Sequence, residues 1–269
     1  MDEALRASDV RTVTVEDDFT LYTPYDAERT AKLAKMVRTN LRAVAGQLEM
    51  TFEQAVQIHA QPLDIQGFGI ELAGDQMHFS GNLRPPTLHD VTGFASTKST
   101  GDIPVVVFLV AADSETIRED GSVLTGTFSF SYDATVRHEL AHQYSIRQGL
   151  DGEVWFNEGL ALELENATPD GDRLVPIPWP ASLEQAARVH RETSLARVLD
   201  WREDGAAIAA GREQPFRNGR PLAHAYVRFL LERGGGERSP EAFRAILQMS
   251  REQHLALEDD WHRWLLAPE

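Results

Sequence analysis

The chain has 269 residues, 42% of them hydrophobic and 25% charged, which is ordinary for a globular protein and enough to build one large core or two smaller ones. Its 42 acids outnumber its 26 bases for a net charge of −16, and no basic tract breaks the excess, so a nucleic-acid groove is not expected. Cysteine is absent, excluding disulfides and thiolate metal sites, and no apolar run approaches the roughly twenty residues of a membrane-spanning helix. The acidic excess reads first as a solubility device, with steering of basic peptides as its functional alternative.

Residues 1–10 hold acids and no apolar stretch, so no signal peptide is read there. A cytoplasmic location is the default expectation, an extracytoplasmic one if a leader has been removed. Residues 11–15 and 19–22 alternate in strand fashion. Asp26 is placed to cap a long amphipathic helix to about Leu48, with Ala31, Leu33, Met36, Val37, Leu41 and Val44 as its apolar stripe. Short strands follow at 56–60, 68–72 and 76–79. The apolar run from Val105 to Val110, bounded by Pro104 and Asp113, reads as a buried strand. A further strand at 127–131 leads into a helix over 134–148 with Asp133 as its N-cap.

Helices dominate the remainder, at about 155–165, 181–190, 221–233, 240–249 and 256–266. Ser239-Pro240-Glu241 offers an N-cap followed by proline at the first helical position. Gly234-Gly235-Gly236 reads as a helix stop and not a phosphate cradle, because no strand precedes it. Strands first and helices later predict an α+β fold. The expected organisation is a single domain over 1–269, its 1–132 part holding a mixed sheet and its 133–269 part mainly helical.

Within that order, His138-Glu139-Leu140-Ala141-His142 is the motif that carries chemistry. Histidines four apart on a helix share a face about one turn apart, so both imidazoles can reach one metal ion. Glu139 is rotated off that face and is positioned to act on a water beside the ion. Val136, Leu140, Ala141 and Tyr144 recur at helical spacing, giving this helix a core face. The third ligand follows from spacing. From His142 the helix runs about 9 Å to Gln148, Gly149, Asp151 and Gly152 supply a turn, and a second helix from Glu153 returns about 9 Å to Glu158. Glu163 and Glu165 overshoot that level and Glu153 lies in the turn. His138, His142 and Glu158 are therefore the expected zinc ligands.

The segment from His138 to Tyr144, followed by Trp155-Phe156-Asn157-Glu158-Gly159-Leu160-Ala161, resembles the gluzincin metallopeptidases and within them the compact bacterial peptidase MA-like branch, related to the aminopeptidase-N and thermolysin families. That family's signature is HExxH plus a glutamate in an Asn-Glu-x-x-Ala segment of the next helix. The resemblance implies a zincin-like fold, in which a mixed-sheet lobe with the active-site helix packs against a helical lobe with the cleft between them. It also implies one zinc ion per chain, held by His138, His142 and Glu158, with Glu139 as general base for hydrolysis of a peptide or protein substrate. Fifteen residues separate His142 from Glu158, fewer than in aminopeptidase-N-like enzymes, which reads as a trimmed hairpin. Residues 221–234 and 257–265 resemble later helices of the same family, and Gly93-Phe94-Ala95 its substrate-side strand or loop.

The resemblance departs from the family where a tyrosine or histidine on a later helix would polarise the substrate carbonyl. The usual tyrosine position falls near Arg220, leaving His224 and Tyr226 as candidates for this catalytic role. Tyr226 shares a face with Leu222, Phe229 and Leu230 and also reads as core, while His224 lies on another side and also reads as solvated. His59, His78, His89, His190, His254 and His262 show no ligand spacing and read as structural or exposed. Trp155, Trp261 and Trp264 read as packing anchors. No Gly-x-Met-Glu-Asn segment is present, which argues against an aminopeptidase. Two alternatives accompany the peptidase reading: a gluzincin-fold binding or regulatory module without turnover, and a zinc hydrolase of a non-peptide amide or ester.

Overall fold

The computed structural model describes residues 12–15, 17–23, 26–50, 56–63, 70–73, 76–79, 93–96, 105–111, 116–117, 122–125, 128–148, 150, 153–202 and 218–266. It is an α+β structure made of two compact units. One comprises Met1–Arg42 and Thr51–Gln143, the other Ala43–Met50 and Tyr144–Glu269. The division falls inside a helix, after Gln143.

In that first unit, β1 (Thr12–Val15), β2 (Phe19–Thr23), β3 (Val56–Leu63), β6 (Gly93–Ser96) and β7 (Val105–Ala111) form a five-stranded sheet in the order β1-β2-β3-β7-β6. The sheet is mixed: β2, β3 and β7 run parallel, and β1 and β6 are antiparallel to their neighbours. The apolar run predicted as a buried strand is β7, paired on both edges. β2 alternates as a half-buried strand should, with Phe19 and Leu21 fully enclosed. β4 (Ile70–Ala73) and β5 (Gln76–Phe79) make a hairpin, and β8 (Thr116–Ile117), β9 (Ser122–Thr125) and β10 (Phe128–Ser131) an antiparallel sheet.

Helix α1 (Ala27–Gln47) buries Thr30, Leu33, Ala34, Val37, Asn40 and Leu41, the i, i+3, i+4 repeat of an amphipathic helix. Asn40 is the polar member of that stripe, and it explains how helix α2 (Tyr132–Arg147) begins. Its amide donates to the Asp133 carboxylate, and Arg137 donates to Asn40 Oδ1 at 2.6 Å and also pairs with Asp133. Asp133 therefore sits in the first helical turn and is not the N-cap expected from the sequence. Its carboxylate still favours the positive end of the helix, but its partners are side chains from α1 and the next turn.

The second unit contains α3 (Val154–Glu165), the hairpin β11 (Ala167–Asp170) and β12 (Arg173–Pro176), α4 (Ala181–Val189), a 3-10 turn at His190–Glu192, α5 (Leu195–Leu199), α6 (Gly219–Arg233), α7 (Pro240–Leu247), α8 (Arg251–Leu255) and α9 (Glu258–Leu265). Helix α6 is its axis: every residue from Pro221 to Leu231 is buried, and α3, α4, α5, α7 and α9 all pack on it. A helix enclosed on all sides tolerates His224 and Arg228 inside only because both are hydrogen-bonded.

Helix ends in this unit follow the expected signals. Ser239 caps α7 ahead of Pro240, and α6 stops at Gly234, with Gly235 and Gly236 at positive φ. The helix expected over 256–266 is preceded by a separate one, α8, opened by a reciprocal capping box between Ser250 and Gln253. That Ser-x-x-Gln signal is present in the sequence.

Candidate metal centre

Helix α2 carries His138 and His142 on one face, as their spacing requires. Their Nε2 atoms are 3.1 Å apart and their rings meet edge to face. That separation suits one shared proton, and it also suits one cation, since ligand atoms of a tetrahedral zinc shell lie about 3.3 Å apart. Val136, Leu140, Ala141 and Tyr144 fill the core side of the same helix, so packing sets the direction in which the two imidazoles point.

Helix α3 supplies the carboxylate. Trp155 and Phe156 are buried, and the Trp155 indole N–H donates to Glu153 Oε2 at 2.9 Å, which anchors the first turn. Glu158, one turn on, is 9% exposed as a residue, similar to His138. One ligand atom each from His138, His142 and Glu158 lies within 4.8 Å of the other two. Two imidazoles and a carboxylate are a donor set that fits zinc, and by charge and softness fits it better than calcium or magnesium, which prefer all-oxygen shells. Glu139 is buried at 4% exposure on the helix that bears the histidine pair.

Glu158 also meets a cation of the protein. Arg220, in the first turn of α6, places its Nε 3.0 Å from Glu158 Oε2. The sequence identified Arg220 only as the position where the tyrosine pattern fails, and no local signal ties it to Glu158.

The two residues considered for carbonyl polarisation go elsewhere. His224 is fully buried, its Nε2 3.0 Å from Glu163 Oε2 and its Nδ1 2.7 Å from Ser182 Oγ. Both of its ring nitrogens are thus engaged, one by a carboxylate and one by a hydroxyl. Tyr226 is also fully buried. Its hydroxyl lies 2.9 Å from His254 Nδ1, and its ring packs against Trp155, Phe229 and Trp261. Burial pushes the Tyr226 phenol up from its ordinary value of 10.0 and pushes the His254 imidazole down. The solvated reading of His224 is corrected by its enclosure, and the core reading of Tyr226 holds.

Glu163 is the hub the sequence did not reveal. Besides His224 it accepts from Arg228 Nε at 2.5 Å through Oε2 and from Arg238 Nε at 2.6 Å through Oε1. Burial by itself would raise its pKa; the His224 hydrogen bond and the charges of His224, Arg228 and Arg238 outweigh it and bring the carboxyl down to about 2. Arg228 in turn donates to the carbonyls of Ile177 and Pro178. A carboxylate so surrounded is committed to holding helices together, and a histidine with no exposed surface has no open face for a substrate.

Of the remaining histidines, His59 and His78 lie in β3 and β5, and His190, His254 and His262 lie in helical segments of the second unit. His190 bonds the Ala187 carbonyl at 2.7 Å and faces the His262 ring. His89, and Gly149, Asp151 and Gly152, for which the sequence predicts a turn, lie outside the described residues. A cavity of about 150 Å³ at the start of α3, lined by Glu153, Trp155, Asp200, Arg251 and His254 among others, contains none of the three metal-capable side chains.

No protein-family model and no curated protein matches the chain. The functional reading therefore rests on the chemistry of these residues and on the motif. Among the described residues no helix is long and apolar enough to cross a membrane.

Proposed function

We propose that this protein is a zinc-dependent peptidase in which His138, His142 and Glu158 hold the metal and Glu139 is the general base. The observation that carries the reading is the grouping of two imidazoles and one carboxylate within 4.8 Å, beside a glutamate in the HExxH arrangement. When bound, zinc supplies a Lewis acid that lowers the pKa of a water and polarises a carbonyl. The protein's own part is to aim the ligands and to move a proton. Glu139 takes the proton of the attacking water and delivers it to the departing amine. Its enclosure on a packed helix holds it in place and limits competing solvent. The edge strand β6, which contains Gly93-Phe94-Ala95, has the backbone chemistry to pair with an extended peptide.

The test is elemental analysis of protein purified without chelator, for wild type and Glu158→Ala, together with turnover of Glu139→Gln on an unfolded protein substrate. The expected result is about one zinc per chain, lost in Glu158→Ala, with Glu139→Gln keeping its metal while activity falls by about 10²-fold or more. Wild type that takes up no zinc when zinc is supplied would end the metal reading.

One observation favours a second reading. His224 and Tyr226 are both enclosed and bonded to other partners, so neither is available as the second carbonyl donor that speeds acyl transfer. A zinc-binding module without turnover would follow, and would show full zinc with no cleavage of peptides. Cleavage of chromogenic esters without cleavage of peptides would instead identify a non-peptide hydrolase.

A further inference from the structure

Helices α3 and α6 approach closely at Gly159. A Cβ there would lie 2.5 Å from Val227 Cγ2 and 2.7 Å from the Ala223 carbonyl oxygen, so the register of the two helices is set by backbone contact. Gly159 follows Glu158, and Ala223 lies about one turn beyond Arg220 on α6. Further along α3, Glu163 takes His224 and Arg228 of the same α6. Contacts on α6 on the C-terminal side of Arg220 thus hold this guanidinium over Glu158, where Nε is 3.0 Å from Oε2.

We propose that Arg220 is a positioning residue for the metal centre: its positive charge, 3.0 Å from Oε2 of Glu158, draws on that oxygen and favours binding of a metal ion through Oε1. This rests on the metal-centre reading above. A carboxylate without such a partner can chelate through both oxygens, filling two coordination positions. A hydrolytic zinc site needs three protein ligand atoms and one position open. A cation paired with one oxygen favours the single-oxygen mode. The attraction is one of charge at close range, so a neutral side chain at this position would release both oxygens. Arg220 is partly exposed, its side chain at 44% against 12% for Glu158, so replacing it leaves the core of α6 intact.

The experiment uses the full chain as wild type, Arg220→Ala and Arg220→Gln. Zinc affinity is read by competition with a chromophoric chelator, coordination by zinc K-edge X-ray absorption, and folding by the melting temperature of the metal-free proteins. The expected result for Arg220→Ala is a loss of about 10–100-fold in zinc affinity, the usual effect of removing an outer partner of a metal ligand. One additional oxygen should appear in the zinc shell, with little change in metal-free melting. Arg220→Gln should show the same additional oxygen, because it keeps a polar stem and loses the charge, and it carries the test if the alanine variant folds poorly. Unchanged affinity and coordination in both variants would overturn the role of Arg220 and leave the metal centre standing. A wild type that binds no zinc overturns the metal centre and this role together.

Discussion

At the residue scale, the polar groups divide into those proposed to perform chemistry and those that hold the fold. Tyr226 and Glu163 are of the second kind. Tyr226→Phe removes the hydroxyl from His254 in a buried site, where the loss of one partner costs about 1–2 kcal/mol. Denaturant unfolding should show that loss, with zinc content unchanged; a large fall in turnover without loss of stability would instead return Tyr226 to the reaction. Glu163 has a pH signature. Its folded pKa of about 2 lies below the ordinary 4.5, so its contribution is fully present above about pH 4.5 and disappears as pH falls toward 2. The shift corresponds to about 3 kcal/mol. Glu163→Gln should therefore flatten the acid limb of a stability-versus-pH curve, and it should destabilise at neutral pH, because two buried or half-buried guanidinium groups lose their carboxylate. An acid limb identical to wild type would show that the carboxylate does not titrate as described.

At the element scale, α3 and α6 form the pair on which Glu158 depends. They touch through Gly159, and the substitution Gly159→Ala forces a methyl group against a backbone carbonyl and a valine. Overpacking of this kind costs about 1–3 kcal/mol. Helix propensity would favour alanine by about 1 kcal/mol, so the sign of the change reports which effect wins. We expect net destabilisation in thermal unfolding, accompanied by weaker zinc binding because Glu158 adjoins the displaced residue. A gain in stability would mean that the helices separate readily and that backbone contact does not set their register. The start of α2 depends similarly on one polar residue of another helix, Asn40, which joins Asp133 and Arg137.

At the scale of the whole molecule, a metal ligated only in the folded state stabilises that state by mass action. At free zinc about 100-fold above its dissociation constant the gain is about 2.7 kcal/mol, which for a chain of this size raises the melting temperature by several degrees. Calorimetry with zinc and then with excess chelator should show that rise and its reversal in wild type, and neither in Glu158→Ala. An equal response of the variant would place the stabilising metal away from His138, His142 and Glu158.

The parts legible in the chain are those that depend on near neighbours. The periods of 3.6 and 2 show most helices and strands, Ser239-Pro240 and the glycines after Arg233 mark helix ends, and four-residue spacing puts His138 and His142 on one face. Glu158 follows His142 by only 16 residues, so counting along the chain suffices to bring it within reach of the histidine pair. The residues that support those side chains are of another kind. Asn40 reaches Asp133 and Arg137 across 93 and 97 residues, and Glu163 reaches His224, Arg228 and Arg238 across 61, 65 and 75. No periodicity links such positions, because their meeting depends on how whole helices pack. The α+β order of elements and the two-histidine face follow from the linear chain alone. The enclosure of His224 and Tyr226, the charge hub at Glu163 and the seat of Arg220 on Glu158 arise only once the helices have packed. A buried polar group takes whichever partner packing brings within about 3 Å, and that choice is made by three-dimensional contact and not by spacing along the chain.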